Sequence, residues 1–393
     1  MKVLIMNQAY EPDVVSSGQH AADLGRELAR RGHQVNVICS RRPYNGGELF
    51  ARTEVRDGVT IHRVRGSSLG KASLLRRAVD FATFGLACAV QLMKVSAVDV
   101  VIVLTSPPLI ASLGAVRAWW RGEKLVSWIL DLNPDEAIAA GALRTGSIAA
   151  RTLEAMLRFS LRHSAAAVVM DRFMAQRVAR RQVPPEKIHV VIPWSLEGIK
   201  WDEVGRVAFR AEHGLAGRFV VMYAGNHSPC HPLDTLLEAA LLLRDDGGIA
   251  FCFCGGGSEF VKVKEFAARR QLTNIFCVPY QPLWRLAGML SAADLHTVVM
   301  GSEFIGIVHP CKVYNILTLG TPLFYVGPPG SHVAELGAAL PGGYFRQAQH
   351  GEAQRAAEAI RAFAASGELP RLSSKISGSE ALAQLTGLVE TFA

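Results

Sequence analysis

Residues 1–39, MKVLIMNQAYEPDVVSSGQHAADLGRELARRGHQVNVIC, hold the pattern on which the fold turns. Positions 3–6 are a short apolar run, and a loop through Pro12, Ser16, Ser17 and Gly18 follows. Ala21, Leu24, Leu28 and Ala29 then share one face of a helix that Gly32 closes, and positions 35–39 are a second apolar run of strand length. Strand, helix and strand in this order make a βαβ unit, which predicts a parallel sheet with a right-handed connection. Ser16-Ser17-Gly18, directly before the helix, is a candidate anion loop, because free amides at a helix N-terminus attract negative charge.

The same grammar extends outward. Residues 53–65, TEVRDGVTIHRVR, predict a hairpin turning at Asp57-Gly58, and 100–104, 125–130 and 167–170 predict further strands. After Pro193 the alternation restarts: a strand at 219–223, the loop GNHSPCHP at 225–232, a helix at 233–243, and strands at 249–254, 275–278, 295–299 and 323–326. At 393 residues the chain is too long for one core, since single cores seldom pass roughly 250–300 residues. The expected α/β architecture is two Rossmann-like, doubly wound domains, 1–197 and 198–374, whose binding loops face an interdomain cleft. A last helix within 375–393 is expected to cross back onto the first domain.

The formal charge is +8, and it is unevenly spread: residues 1–197 carry 26 Lys and Arg against 17 Asp and Glu, residues 198–393 only 16 against 17. No aromatic-interleaved basic run suggests nucleic acid, so the basic half is either a solvated face or one that meets an anionic membrane or a phosphorylated acceptor. Residues 71–94, KASLLRRAVDFATFGLACAVQLMK, set Arg76 and Arg77 before thirteen mostly apolar residues, 81–93. That run is too short to span a bilayer, which takes about 20 residues; it is either a buried domain helix or a helix lying in the membrane interface. The seven cysteines show no zinc spacing, and the N-terminus lacks a secretory signal, so a reducing cytoplasm is expected, with peripheral contact to the inner face of the membrane as an option.

Chemistry concentrates in the loops. Gly225–Pro232 brings Asn226, His227, Ser228 and His231 to the end of a strand, where polar groups and free amides suit a pyrophosphate; His231-Pro232 is otherwise a plain helix entry. Gly255-Gly256-Gly257 lets a ligand approach the backbone, but neither the dinucleotide fingerprint nor a P-loop occurs, which argues against a dehydrogenase or P-loop ATPase. Lys312 falls in the first turn of a short helix between Pro310 and Gly320, where a cation is disfavoured by about 0.3–1 kcal/mol. Either a bound phosphate explains it, or its stem carries the ammonium out to water. Asp131, at the end of an apolar strand in WILDLNPDEA, is placed for proton or hydroxyl chemistry or for capping the next turn, with Asp135 as its competitor and His20 and His163 as weaker candidates.

Taken together, the 1–39 opening, YAGNHSPCHPLDTLLEAA (223–240), FCGGG (253–257), AADLH (292–296) and PCKVYNILTLGTP (310–322) resemble retaining glycosyltransferases of family 4, which have the GT-B fold. The similarity is strongest to the bacterial exopolysaccharide and O-antigen branch, including colanic-acid-type transferases, and covers nearly the full chain. It implies a second domain that binds a nucleoside-diphosphate sugar and a first that binds a lipid-linked or oligosaccharide acceptor. Where many members carry an Arg and a Lys in the first loop of the second domain, this chain has Asn226 and His231; where they carry two glutamates, it has Ile307 and Asn315. Lys312 matches the Pro-Ser-Lys form of the related branch.

The site so implied has Asp131 and Lys312 as catalytic residues. Ser17, Gly18, Asn226, His227, His231, His309 and Lys312 would face the donor phosphates, and Gly256, Gly257, Tyr280 and Asn315 the nucleoside. The resemblance implies transfer with retention, with departing phosphate charge stabilised by Lys312, by loop amides and by His231 if protonated, and with no metal or cofactor. Two other readings remain: a nucleotide-sugar epimerase of the same fold, and a catalytically weak GT-B subunit that scaffolds a polysaccharide assembly.

Overall fold

The computed structural model describes every residue except 14, 44–45, 69–73, 109, 368, 374–377 and 393. Two compact units result: residues 1–193, 306–309 and 378–393 form the first, and 194–305 with 310–377 the second. The boundary at 193 rather than 197 is a small shift. The transfer of 306–309 to the first unit is not, and its cause is backbone pairing. Leu132 N–H donates to Ile307 O at 2.8 Å, and Asp131 and Val308 form an isolated antiparallel bridge. A bridge this short has no periodicity for a sequence to display.

The first unit is an eight-stranded sheet. Its strands lie in the order Thr53–Arg56, Val59–Val64, Gln34–Ser40, Lys2–Met6, Val100–Val103, Lys124–Ile129, Ala166–Val169, Ile188–Val190. Val3 sits opposite both Val35 and Val100, and all pairs are parallel except the hairpin of the first two strands. Asp57 at φ 50° and Gly58 at φ 78° turn that hairpin through the left-handed region such a tight turn requires. The central strands are buried along almost their whole length, as parallel strands covered on both faces must be. The helix Ser16–Arg30 covers them with Ala21, Leu24 and Leu28, and the final helix Gly378–Glu390 packs on it, with Glu390 bonded to Arg31 at 2.9 Å and His33 at 2.8 Å.

The second unit is a six-stranded, wholly parallel sheet in the order Ile275–Val278, Ile249–Gly256, Phe219–Asn226, Leu295–Val299, Leu323–Val326, Phe345–Ala348. Successive residues of one strand serve opposite faces. Val221, Tyr223, Phe251 and Phe253 pack with Leu236, Ala240, Ile360 and Phe363, whereas Val220, Met222, Cys252 and Cys254 pack with Phe209 and Met289. None of the seven cysteines is in a disulfide. Phe219–Asn226 and Ile249–Gly256 run side by side to their ends, placing Gly225 opposite Gly255 and Asn226 opposite Gly256.

Candidate functional site

The paired strand ends form a floor made of glycine. Gly255 has φ +135°, and a Cβ there would stand 2.1 Å from Gly225 O; Gly257 has φ +128°, and its Cβ would stand 2.3 Å from His227 O. Only glycine allows both the backbone angle and the close approach. Tyr280 lies across this floor: a Cβ on Gly256 would meet its ring at 2.9 Å, and its hydroxyl donates to Gly256 O at 3.2 Å. Asn226 is exposed beside them.

Lys312 reaches over the same floor from the start of the helix Lys312–Leu319. A Cβ on Gly225 would be 3.4 Å from both Lys312 Cε and Nζ. The Nζ sits 3.7 Å from the centroid of the Tyr223 ring, a cation–π contact, and is shut off from solvent without a hydrogen bond among the described residues. Part of the residue is accessible, but its charged end is not. Burial lowers the ammonium pKa from its ordinary 10.5 to about 7. An unpaired buried charge is costly, so this position favours an anion that reaches it.

The two loop histidines do not share the cationic role. His227 is pinned: its Nδ1–H donates to Gly225 O at 2.9 Å, its backbone N–H to Gly256 O at 2.8 Å, and its carbonyl accepts from Glu259 N at 3.0 Å. His231 Nδ1–H donates to Val299 O at 2.7 Å. Burial first, and the Lys312 charge second, lower the pKa of His227 to about 4 and of His231 to about 3. Each is therefore neutral near pH 7, with its proton on Nδ1 and a lone pair on Nε2. The condition attached to His231, that it be protonated, is not met in this environment.

Asn315 lies in the Lys312 helix but is engaged elsewhere. Its Oδ1 accepts from Ser195 Oγ at 2.9 Å and from Leu196 N at 3.1 Å, tying the segment that opens the second unit. A contact to a nucleoside is not what that oxygen makes. Ile307, the other position where the resemblance implies a glutamate, is buried in the first unit.

The remaining candidates also belong to the first unit. Ser17 and Gly18 begin the helix Ser16–Arg30, where Asn7 Nδ2 donates to Ser17 Oγ at 3.4 Å and to Ala9 O at 2.8 Å. His309 is buried, with Nδ1 2.7 Å from Asp171 Oδ2, and this carboxylate partner explains its position without a donor phosphate. Asp131 borders a cavity of about 20 Å³ with Thr105, Asn133, Ser112 and Ser160, room for roughly one water. Burial, then the nearby Glu136 charge, raises its pKa to about 8, so at neutral pH it is largely a protonated acid. Asp135, its competitor, pairs with Arg177 and Arg181.

Sequence reading missed two partners. Tyr223 is one residue of an apolar strand, and its face toward Lys312 has no local signature. Asp171 reads as a helix cap, which it is through Met174 N at 2.8 Å, and nothing near it in the chain points to His309.

Two Rossmann-like units of this kind have the architecture of the GT-B fold, as their structural matches show. Residues 17–194 match the model of the glycosyl transferase 4-like domain. The chain is 24% identical over 356 residues to a protein of Escherichia coli K12 named as the colanic acid biosynthesis glycosyl transferase WcaI, with 87% of each covered. Its fold matches WaaG, a glycosyltransferase involved in lipopolysaccharide biosynthesis, with a TM-score of 0.71, 14% identity and 98% and 99% of the two chains covered. It also matches Anabaena HepE in complex with UDP-glucose, with a TM-score of 0.70, 14% identity and 100% and 98% covered.

Proposed function

We propose that the protein moves a sugar, with retention, from a nucleoside-diphosphate sugar to a lipid-linked or oligosaccharide acceptor in surface polysaccharide biosynthesis. The buried, unpaired Lys312 ammonium over the glycine floor carries this reading. The names of WcaI and WaaG favour the polysaccharide setting, and the UDP-glucose held by HepE favours a nucleotide-sugar donor.

In the proposed step the acceptor oxygen forms a bond to the anomeric carbon on the face from which the nucleoside diphosphate departs. The carbon–oxygen bond to the β-phosphate breaks, and the acceptor proton passes to that phosphate oxygen, so no protein nucleophile is required. Lys312 stabilises the charge that grows on the leaving phosphate, as a positioned cation in a dry site does. Gly256, Gly257 and Tyr280 offer a flat surface to the nucleoside. Asp131, protonated at neutral pH, would orient the acceptor. The scheme calls for no metal.

A membrane-borne acceptor is favoured by the surface of the first unit. Leu86, Val90 and Met93 share one exposed face of a helix that ends in the exposed Lys94, and the helix packed beside it ends in the exposed Trp119, Trp120 and Arg121. Among the described residues no helix is long and apolar enough to cross a membrane, and this patch suits lying on one.

The test is Lys312→Ala with donor and acceptor present. Turnover should fall at least about tenfold, the loss of one good transition-state contact of roughly 1.4 kcal/mol, while circular dichroism stays unchanged. Lys312→Met, which keeps the stem and removes the buried charge, should be equally inactive yet melt no lower than the parent. Unchanged donor kinetics in both variants would refute the assignment.

A further inference from the structure

The second unit has another basic recess, at the opposite ends of its strands from Lys312. It encloses about 250 Å³ between Trp201, Phe219, Phe363, Thr321, Arg218 and Arg371, with Arg206, Arg210 and Asp294 at its wall. Among the described lining residues four arginines thus meet one carboxylate. Asp294 is already saturated: Oδ1 accepts from Arg206 at 2.6 Å, and Oδ2 from Arg210 at 2.5 Å and from Val220 N at 2.7 Å. Arg218 and Arg371 make no ion pair among the described residues. Their guanidiniums lie instead over aromatic rings, Arg218 5.3 Å from the Phe276 centroid and Arg371 3.9 Å from that of Trp201.

Thr321 supplies the second observation. It is 5% exposed, and its Oγ1 is buried without a hydrogen-bond partner among the described residues. An orphaned hydroxyl costs about 1–3 kcal/mol where the protein offers it nothing. It belongs to Gly320-Thr321-Pro322, a motif the donor site does not use. A valine of the same shape would avoid that cost, so the hydroxyl is in keeping with a ligand that accepts from it.

We propose that this recess is a second anion site that binds a small soluble phosphomonoester. Guanidinium forks match a phosphate's oxygens in pairs, the excess positive charge prefers a dianion, and the aromatic walls accept a compact organic portion. Free phosphate and a phospholipid headgroup share this chemistry, and the recess, walled by Trp201, Phe219 and Phe363, is assigned to the soluble form.

The experiment is titration of the full chain with inorganic phosphate and with glucose 6-phosphate, followed by calorimetry. Arg371→Ala should weaken both at least about tenfold, as loss of a charge-assisted contact does. Thr321→Val, an isosteric change not expected to unfold the chain, should weaken them about threefold or more by loss of one hydrogen bond. The Arg371-dependent binding should persist in Lys312→Ala. The reverse pattern, loss with Lys312→Ala and none with Arg371→Ala, would put the phosphate at the donor helix and overturn the proposal. So would the absence of binding at about 10 mM ligand, or Arg371-dependent binding only to phosphatidic acid vesicles.

Discussion

Lys312 is the residue at which burial, charge and function meet, and its proton can be followed. The unfolded chain holds this proton up to its ordinary pKa of 10.5, whereas the folded chain releases it near 7. Between those values the unfolded state binds more protons, so this residue's share of stability rises with pH across the window. Its penalty is greatest below about 7 and gone above 10.5. The stability gained by Lys312→Met over the parent should therefore be largest at about pH 6 and fade toward pH 10. A donor diphosphate beside the ammonium would restore its ordinary pKa, so binding at about pH 8 should take up close to one proton. Calorimetry in two buffers of different ionisation enthalpy reads that number directly; zero uptake would mean that the phosphate does not meet Lys312.

At the scale of elements, two helices of the first unit carry more apolar surface than its core uses. In Leu74–Lys94 the residues Phe84, Cys88 and Leu92 are buried at steps of four, while Leu86, Val90 and Met93 repeat on another face and remain exposed. Ile110–Arg121 packs beside it and ends in Trp119 and Trp120, 68% and 73% exposed. Amphipathic indoles with a basic rim suit the headgroup region of an anionic membrane. Replacing both tryptophans with serine should cut flotation with phosphatidylglycerol vesicles several-fold, and the parent's flotation should fall with salt. Equal flotation of both proteins would remove the membrane from the proposal. The same helix shows what a sequence conveys and what it withholds. Its existence follows from apolar spacing, but two apolar faces read alike until one is seen packed. Asp57-Gly58 announced its hairpin because so few residues tolerate that turn. Phe345–Ala348 was not anticipated, because four residues that include Arg346 and Gln347 have no strand periodicity to read. The loop residues from Gly225 to His231 were found by their place after a strand, whereas the neutral state of His231 depends on its burial and on Lys312, far along the chain.

For the whole molecule the question is whether its two units work as a transferase, an epimerase or a scaffold. The donor chemistry proposed here lies in the second unit, and Asp131 lies in the first. A nucleotide sugar alone should therefore slow hydrogen exchange at the loops around 225–231, 255–257 and 312 and leave the peptide around Asp131 unchanged. A ligand at about a hundred times its Kd stabilises the native state by roughly 2.7 kcal/mol, enough for a thermal-shift comparison of UDP-, GDP- and dTDP-sugars to pick the base. With that donor and no acceptor, an epimerase would convert it, whereas a transferase should leave it nearly intact and form product once a lipid-linked saccharide is added. Because the proposed step makes and breaks bonds on one face of the sugar, proton NMR should find the product's anomeric configuration equal to the donor's. An inverted product would require attack from the opposite face and hence a protein base, a role for which Asp131, its pKa raised by burial toward the working pH, would be the candidate. Rates unchanged by EDTA would accord with the charge on the leaving phosphate being met by Lys312, and a rate lost on chelation and restored by a divalent ion would move that task to a metal.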